Sequence, residues 1–106
     1  MSIFFKPLNP PQIDWHGRSV WLIGASTGIG LATAKALHAV GARVVVSARN
    51  ANALQQFVDG HPGSEAVVLD VCDASAITQA AHYVQTQQGL DVVVFCAGYY
   101  LSLIHI

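Results

Sequence analysis

The chain has 106 residues, of which 53% are hydrophobic and 10% charged, with a formal net charge of -1. That much apolar material in that length supports one domain and excludes intrinsic disorder. The near-neutral balance leaves no electrostatic footprint for nucleic acid or an anionic membrane, and the longest apolar run, Val92 to Ala97, is far shorter than the roughly 18 residues of a membrane span.

The N-terminal stretch Met1-Ser2-Ile3-Phe4-Phe5-Lys6-Pro7 is too short and too proline-interrupted for a secretory signal. Residues 1–17 read as an arm: Pro7, Pro10 and Pro11 forbid regular structure, while Phe4, Phe5, Ile13 and Trp15 are available to lie against a body. Ser19 to Ile23 is a buried-type strand. A helix follows, with Ile29, Ala32, Ala36, Leu37 and Val40 expected on its apolar face and Gly41 as its stop. Val44-Val45-Val46 is a second strand. Asn50 caps a short helix expected to bury Leu54, Phe57 and Val58, and Asp59 to Ser64 is turn chemistry. A third strand runs from Ala66 to Leu69. Asp73 caps a third helix with the stripe Ile77, Ala80, Ala81 and Val84, Gly89 ends it, and Val92 to Cys96 is a fourth strand.

Uniformly apolar strands alternating with amphipathic helices predict an α/β fold: a doubly wound parallel sheet of four strands with three helices and right-handed crossovers. Between the first strand and first helix lies Ile23-Gly24-Ala25-Ser26-Thr27-Gly28-Ile29-Gly30. There Gly24 permits a tight turn, Gly28 lets the backbone approach a pyrophosphate, and Gly30 lets helix pack closely on strand. The free N–H groups and dipole of the helix start favour an anion. Cys72 and Cys96 form no C-x-x-C, and the five histidines (16, 38, 61, 82 and 105) share no ligand spacing. No metal site is therefore expected, and the cysteines read as reduced thiols of a cytoplasmic protein, Cys96 as a small buried filler.

The glycine spacing is G-x-x-x-G-x-G, and here the chain resembles the short-chain dehydrogenase/reductase family, whose signature is T-G-x-x-x-G-x-G. Asp70-Val71 after the third strand, Cys96-Ala97-Gly98 at the end of the fourth and Ser47-Ala48-Arg49 at the end of the second fall where that family places cofactor contacts. The resemblance covers about residues 18 to 100. It implies an incomplete Rossmann-type domain, with Gly24, Ser26, Thr27, Gly28, Ile29 and Gly30 at the phosphates. It further implies Asp70 and Val71 at the adenine, and Ala97 and Gly98 near the nicotinamide ribose. Hydride transfer between NADP(H) and a small carbonyl or alcohol is the implied activity, without nucleic-acid or membrane partners and with a homo-oligomeric full-length protein. Ala48 and Arg49 imply preference for NADP(H) over NAD(H), because no carboxylate closes the second strand and Arg49 is placed to grip a 2′-phosphate.

Two positions depart from the family pattern: Ile23 replaces its Thr, and Phe95-Cys96 replaces its Asn pair. The family's catalytic Ser and Y-x-x-x-K are not found, since Tyr83, Tyr99 and Tyr100 are followed four positions on by Gln87, Leu103 and Ile104. No residue of this chain is therefore assigned a catalytic role, and Lys35 reads as a surface charge. The fourth strand is central in the resembled sheet, so a chain stopping there is expected to leave an apolar edge unpaired. The last six residues, 101–106, are what CTG TCT CTT ATA CAC ATC encodes, which matches a transposase adapter of sequencing libraries. They are expected to be a non-native tail on an incomplete reading frame; a genuine short apolar tail is the alternative. Two other functional readings stand beside the oxidoreductase: a non-catalytic NADP-binding module, and a methyltransferase using S-adenosylmethionine. Ala48-Arg49 argues against the latter, which wants an acidic residue at the end of the second strand.

Overall fold

The computed structural model describes residues 14–25, 28–97 and 100–105. In chain order the elements are β1 (Ser19–Ile23), α1 (Gly28–Ala39), β2 (Arg43–Ser47), α2 (Ala51–Gly60), β3 (Glu65–Ala66), α3 (Ala74–Gln88), β4 (Val92–Ala97) and β5 (Tyr100–His105). They form one sheet of order β3-β2-β1-β4-β5. The pairings among β1 to β4 are parallel, the expected doubly wound arrangement, and β5 lies antiparallel on β4.

The sheet is covered on both faces because the middle positions of its central strands are apolar on both sides. Val20 and Leu22 of β1 join Val44 and Val46 of β2 and Val92 and Val94 of β4 in one cluster, sealed by Ala34 and Leu37 of α1 and Leu54 and Phe57 of α2. Trp21, Ile23, Val45 and Val93 point the other way and pack with Leu69, Leu90 and with Ala80 and Val84 of α3. Trp15, from the expected arm, packs against the first cluster. Phe4, Phe5 and Ile13 lie outside the described residues.

Helix α1 corrects the expected face. It buries Gly30, Thr33, Ala34 and Leu37, whereas Ala32 and Ala36 are exposed and Val40 is 54% exposed. Gly30 and Thr33 are not strongly hydrophobic, but they are small, and small residues let the helix lie close to the sheet. The Thr33 hydroxyl is satisfied internally, donating to the Ile29 carbonyl at 2.8 Å. The helix ends in a Schellman pair of bonds, Ala42 N–H to Leu37 O at 3.1 Å and Gly41 N–H to His38 O at 3.1 Å.

Asn50 and Asp73 cap α2 and α3 as their side chains predict, accepting from the Ala53 and Ala76 N–H groups. Helix α2 runs on to Gly60, into the stretch expected as a turn. Ladder pairing in β3 is confined to Glu65 and Ala66, but Val67 N–H to Val46 O and Leu69 N–H to Ala48 O carry hydrogen bonding further along β2. The expectation of an unpaired β4 edge is also corrected, since β5 pairs along β4 from Val92↔His105 to Ala97↔Tyr100. An open edge of N–H and C=O groups takes up any β-prone segment within reach, and Leu101-Ser102-Leu103-Ile104 is one. Among the described residues no helix is long and apolar enough to cross a membrane.

At the amino ends of the strands, Asp91 clamps β1 to the start of β4. Its carboxylate accepts the Ser19 N–H at 2.9 Å, and its own N–H donates to the Ser19 carbonyl at 3.0 Å. Replacing Asp91 with Ala should cost about 1–2 kcal/mol, because it strands the buried Ser19 N–H while Asp91 itself faces solvent. The urea midpoint of the protein measures this; an unchanged midpoint contradicts the clamp.

Candidate functional site

The carboxyl ends of β1, β2 and β3 meet at one rim of the sheet. Ligands of doubly wound folds bind beyond such a rim, where the strand order reverses, here between β1 and β4. Gly24 turns the chain away from β1 at a φ of +90°. A Cβ there would stand 2.8 Å from the Cys96 carbonyl oxygen, so only glycine fits both the conformation and the space. The turn is fastened to β2, because Gly24 N–H and Ala25 N–H both donate to the Ser47 carbonyl, at 2.6 and 3.1 Å. Gly28 opens α1 at a φ of +62°, with nothing within 4 Å of where a Cβ would stand. The backbone there is open to approach. Gly30 is buried, and a Cβ on it would lie 3.0 Å from both the Ala25 Cα and the Cys96 Sγ.

Beside this turn lies a shallow groove of about 240 Å³ lined by Gly24, Ala48, Arg49, Asn50 and Val71. A full ligand pocket has roughly 300–1,000 Å³, so these residues form a wall of a site rather than an enclosure. Ala48 is buried and leaves the end of β2 without a carboxylate, Arg49 is exposed, and Val71 is 43% exposed. Asn50 was foreseen only as a cap; its place in the groove follows from standing next to Arg49 at the mouth of α2.

The remaining expected site residues are placed less uniformly. Ile29 is half-buried, packs against the first core cluster and is not among the residues lining the groove. Asp70 is exposed but does not line the groove; its carboxylate accepts the Cys72 N–H at 2.9 Å and its carbonyl the Asp73 N–H at 2.9 Å. Ala97 ends β4, while Ser26, Thr27 and Gly98 lie outside the described residues. Tyr83 is elsewhere: its hydroxyl donates to Glu65 Oε2 at 2.6 Å, tying α3 to β3, and that bond to a carboxylate raises its pKa. Lys35 is exposed on α1. The contribution that residue patterns missed is Ser47. Its carbonyl holds the glycine turn, its hydroxyl accepts the Trp21 indole N–H at 2.8 Å, and it is fully buried. A lone polar residue closing the run Val44-Val45-Val46 was the available signal.

The family model described as short chain dehydrogenase matches residues 18–104. The chain belongs to that family. Among curated short-chain dehydrogenase relatives, 3-oxoacyl-[acyl-carrier-protein] reductase FabG of Rickettsia prowazekii (strain Madrid E) is 30% identical over 87 residues, covering 82% of this chain and 35% of that protein. L-xylulose reductase of Bos taurus is 45% identical over 64 residues, covering 60% of this chain and 26% of that protein. The crystal structure of gox2181 superposes with a TM-score of 0.71 at 31% identity, covering 78% of this chain and 34% of that one. The chain thus spans about a third or less of the proteins it matches.

Where this chain departs from its family's pattern, the substitutions fit one another. Ile23 and Phe95 are register partners across β1 and β4 and pack in the same apolar cluster. Exchanging polar partners for apolar ones leaves no orphaned group, which is why a joint loss is tolerated where a single loss is costly. Cys96 fills the space beneath the glycine turn, and burial pushes its thiol up to about 11. At pH 8 roughly one part in a thousand is therefore thiolate, the reactive form. Iodoacetamide at pH 8 should label the exposed Cys72 and spare Cys96, whose labelling rises only as the pH approaches 11; equal labelling at pH 8, read by peptide mass, contradicts the filler role.

Proposed function

We propose that this chain forms the NADP(H)-binding part of a short-chain oxidoreductase that moves hydride between nicotinamide and a small carbonyl or alcohol. The observation that carries this reading is the groove wall, in which buried Ala48 and exposed Arg49 stand beside the Gly24 turn with no carboxylate among the lining residues. An NAD-selective site closes its second strand with Asp or Glu, which accepts from the ribose hydroxyls and repels a 2′-phosphate. Ala48 removes that repulsion, and the Arg49 guanidinium supplies a bidentate partner for the phosphate or a plane to stack on adenine.

The residues present suit such a cofactor. The open space over Gly28 admits a pyrophosphate close to the backbone, and the N–H groups starting α1 face it with the positive end of the helix dipole. Ser26 and Thr27 precede Gly28 in the sequence and Ile29 follows it in the first turn of α1, so all three would border the pyrophosphate; Asp70-Val71 would flank the adenine and Ala97-Gly98 the nicotinamide side. When bound, the cofactor supplies the hydride. The role of this chain's residues is to bind and orient it: Arg49 fixes the adenosine end, the glycine turn holds the pyrophosphate, and half-buried Cys96 supports the turn from below. The reductase names of the relatives, which act on a 3-oxoacyl group and on xylulose by those names, support a carbonyl substrate.

The test is a pair of dissociation constants. A charge-assisted contact of the kind proposed for Arg49 is worth about 1.5–3 kcal/mol, roughly one to two powers of ten in affinity. The full-length protein should bind NADPH that much more tightly than NADH, and Ala48→Asp combined with Arg49→Ala should reverse the order. Equal affinities in the unmutated protein would overturn the assignment of Arg49. We further propose that residues 101–106 are adapter-derived and that the catalytic groups lie in a segment these 106 residues do not include. The 106 residues alone should then turn over no carbonyl with NADPH; any turnover above buffer contradicts this.

A further inference from the structure

We propose that Trp21 and Ser47 form a positioning pair that sets the geometry of the glycine turn, and through it the affinity for the nucleotide cofactor. The cofactor half of this statement rests on the reading in the preceding subsection. Neither residue reaches the groove, so both act through the turn.

Trp21 stands opposite Val45 and Ser47 opposite Ile23 in the β1–β2 register, which makes Trp21 and Ser47 diagonal neighbours on one face of the sheet. The indole is long enough to reach across such a diagonal. The indole Nε1–H donates to Ser47 Oγ at 2.8 Å, and the two residues are 1% and 0% exposed. Water is therefore not at hand to replace either partner. The same Ser47 offers its main-chain carbonyl to Gly24 and Ala25, at 2.6 and 3.1 Å.

One residue thus carries both bonds. A twist or slide of Ser47 that relaxes the two turn amides also pulls its hydroxyl off the indole, and the reverse holds. The indole, anchored in mid-strand among Ile23, Val45 and Val84, passes the rigidity of the core to the point where the chain leaves the sheet. On the other side the Cys96 carbonyl stands 2.8 Å from where a Gly24 Cβ would be, so the turn passes close to β4 and admits no side chain. The turn is held between β2 and β4, and the Trp21–Ser47 bond fixes the β2 side.

The experiment is amide hydrogen exchange at Gly24 and Ala25 in the full-length protein, with the Asp91 N–H, bonded to Ser19 at the far end of β1, as internal control. Trp21→Phe and Ser47→Ala should each speed exchange at Gly24 and Ala25 about tenfold, the worth of one hydrogen bond, with far less change at Asp91. NADPH binding should weaken by a similar factor, and Ser47→Thr, which keeps the hydroxyl, should restore both. The double variant Trp21→Phe/Ser47→Ala should regain melting temperature, since two apolar replacements leave no orphan, yet keep fast exchange in the turn. Equal acceleration at Asp91, or turn exchange that recovers together with melting temperature in the double variant, would overturn the pair's positioning role. Selective acceleration at Gly24 and Ala25 in a protein that binds no NADPH even unmutated would uphold the positioning role and overturn the cofactor reading instead.

Discussion

The Ser47 carbonyl accepts two N–H groups from a neighbouring strand end, and the geometry of the rim follows from that double acceptance. In a parallel ladder each carbonyl ordinarily serves one partner on a given side. Taking both Gly24 and Ala25 bends β1 out of the sheet plane at its last residue and delivers the chain to the start of α1. The bend demands a positive φ at Gly24 and small neighbours at Gly30 and Cys96, and all three conditions are met within a few ångströms. Everything proposed for the groove depends on that bend, since Gly24 forms part of its wall.

The rest of the molecule supplies a frame stiff enough to hold the bend. Two apolar clusters lie on opposite faces of the same strands, so every residue of β1 is buried and none has an alternative environment. At the amino end of that strand Asp91 closes a reciprocal pair of bonds with Ser19; at the carboxyl end Ser47 closes a different one with Gly24 and Ala25. The central strand is therefore tied at both ends, by Asp91 outside its ladder and by Ser47, its last partner within it. A helix anchored by small residues, Gly30, Thr33 and Ala34, then lies close enough to the sheet to bring its first turn to the rim.

Much of this was legible in the residues because it depends on local rules. Uniform apolar runs gave the strands, Asn50 and Asp73 announced the two later helices, and the glycine spacing located the turn and pointed to the family. The buried face of α1 was not legible, because hydrophobicity cannot rank Ala32 and Ala36 against Gly30 and Ala34 when packing depends on size. The hold of Ser47 on the turn was not legible either: a lone polar residue closing an apolar strand marks the position, but the contribution is a main-chain carbonyl, which every residue type possesses. The Asp91–Ser19 clamp joins positions 72 residues apart and leaves no trace in any window of sequence. The covering of β4 escaped notice because it comes from residues read as a tail, and strand pairing responds to β-propensity and reach alone.

The antiparallel course of β5 also decides which stretch of the sheet edge it closes. Strands β1 to β4 all bring their carboxyl ends to the rim that carries the groove, whereas β5 starts there, with Tyr100 beside Ala97, and finishes with His105 beside Val92. Six residues of antiparallel strand carry the backbone roughly 17 Å, the depth of the sheet. The pairing of β5 therefore runs the whole way from the groove rim down to the Asp91 clamp, and no part of the β4 backbone edge between those two points is left open to another chain.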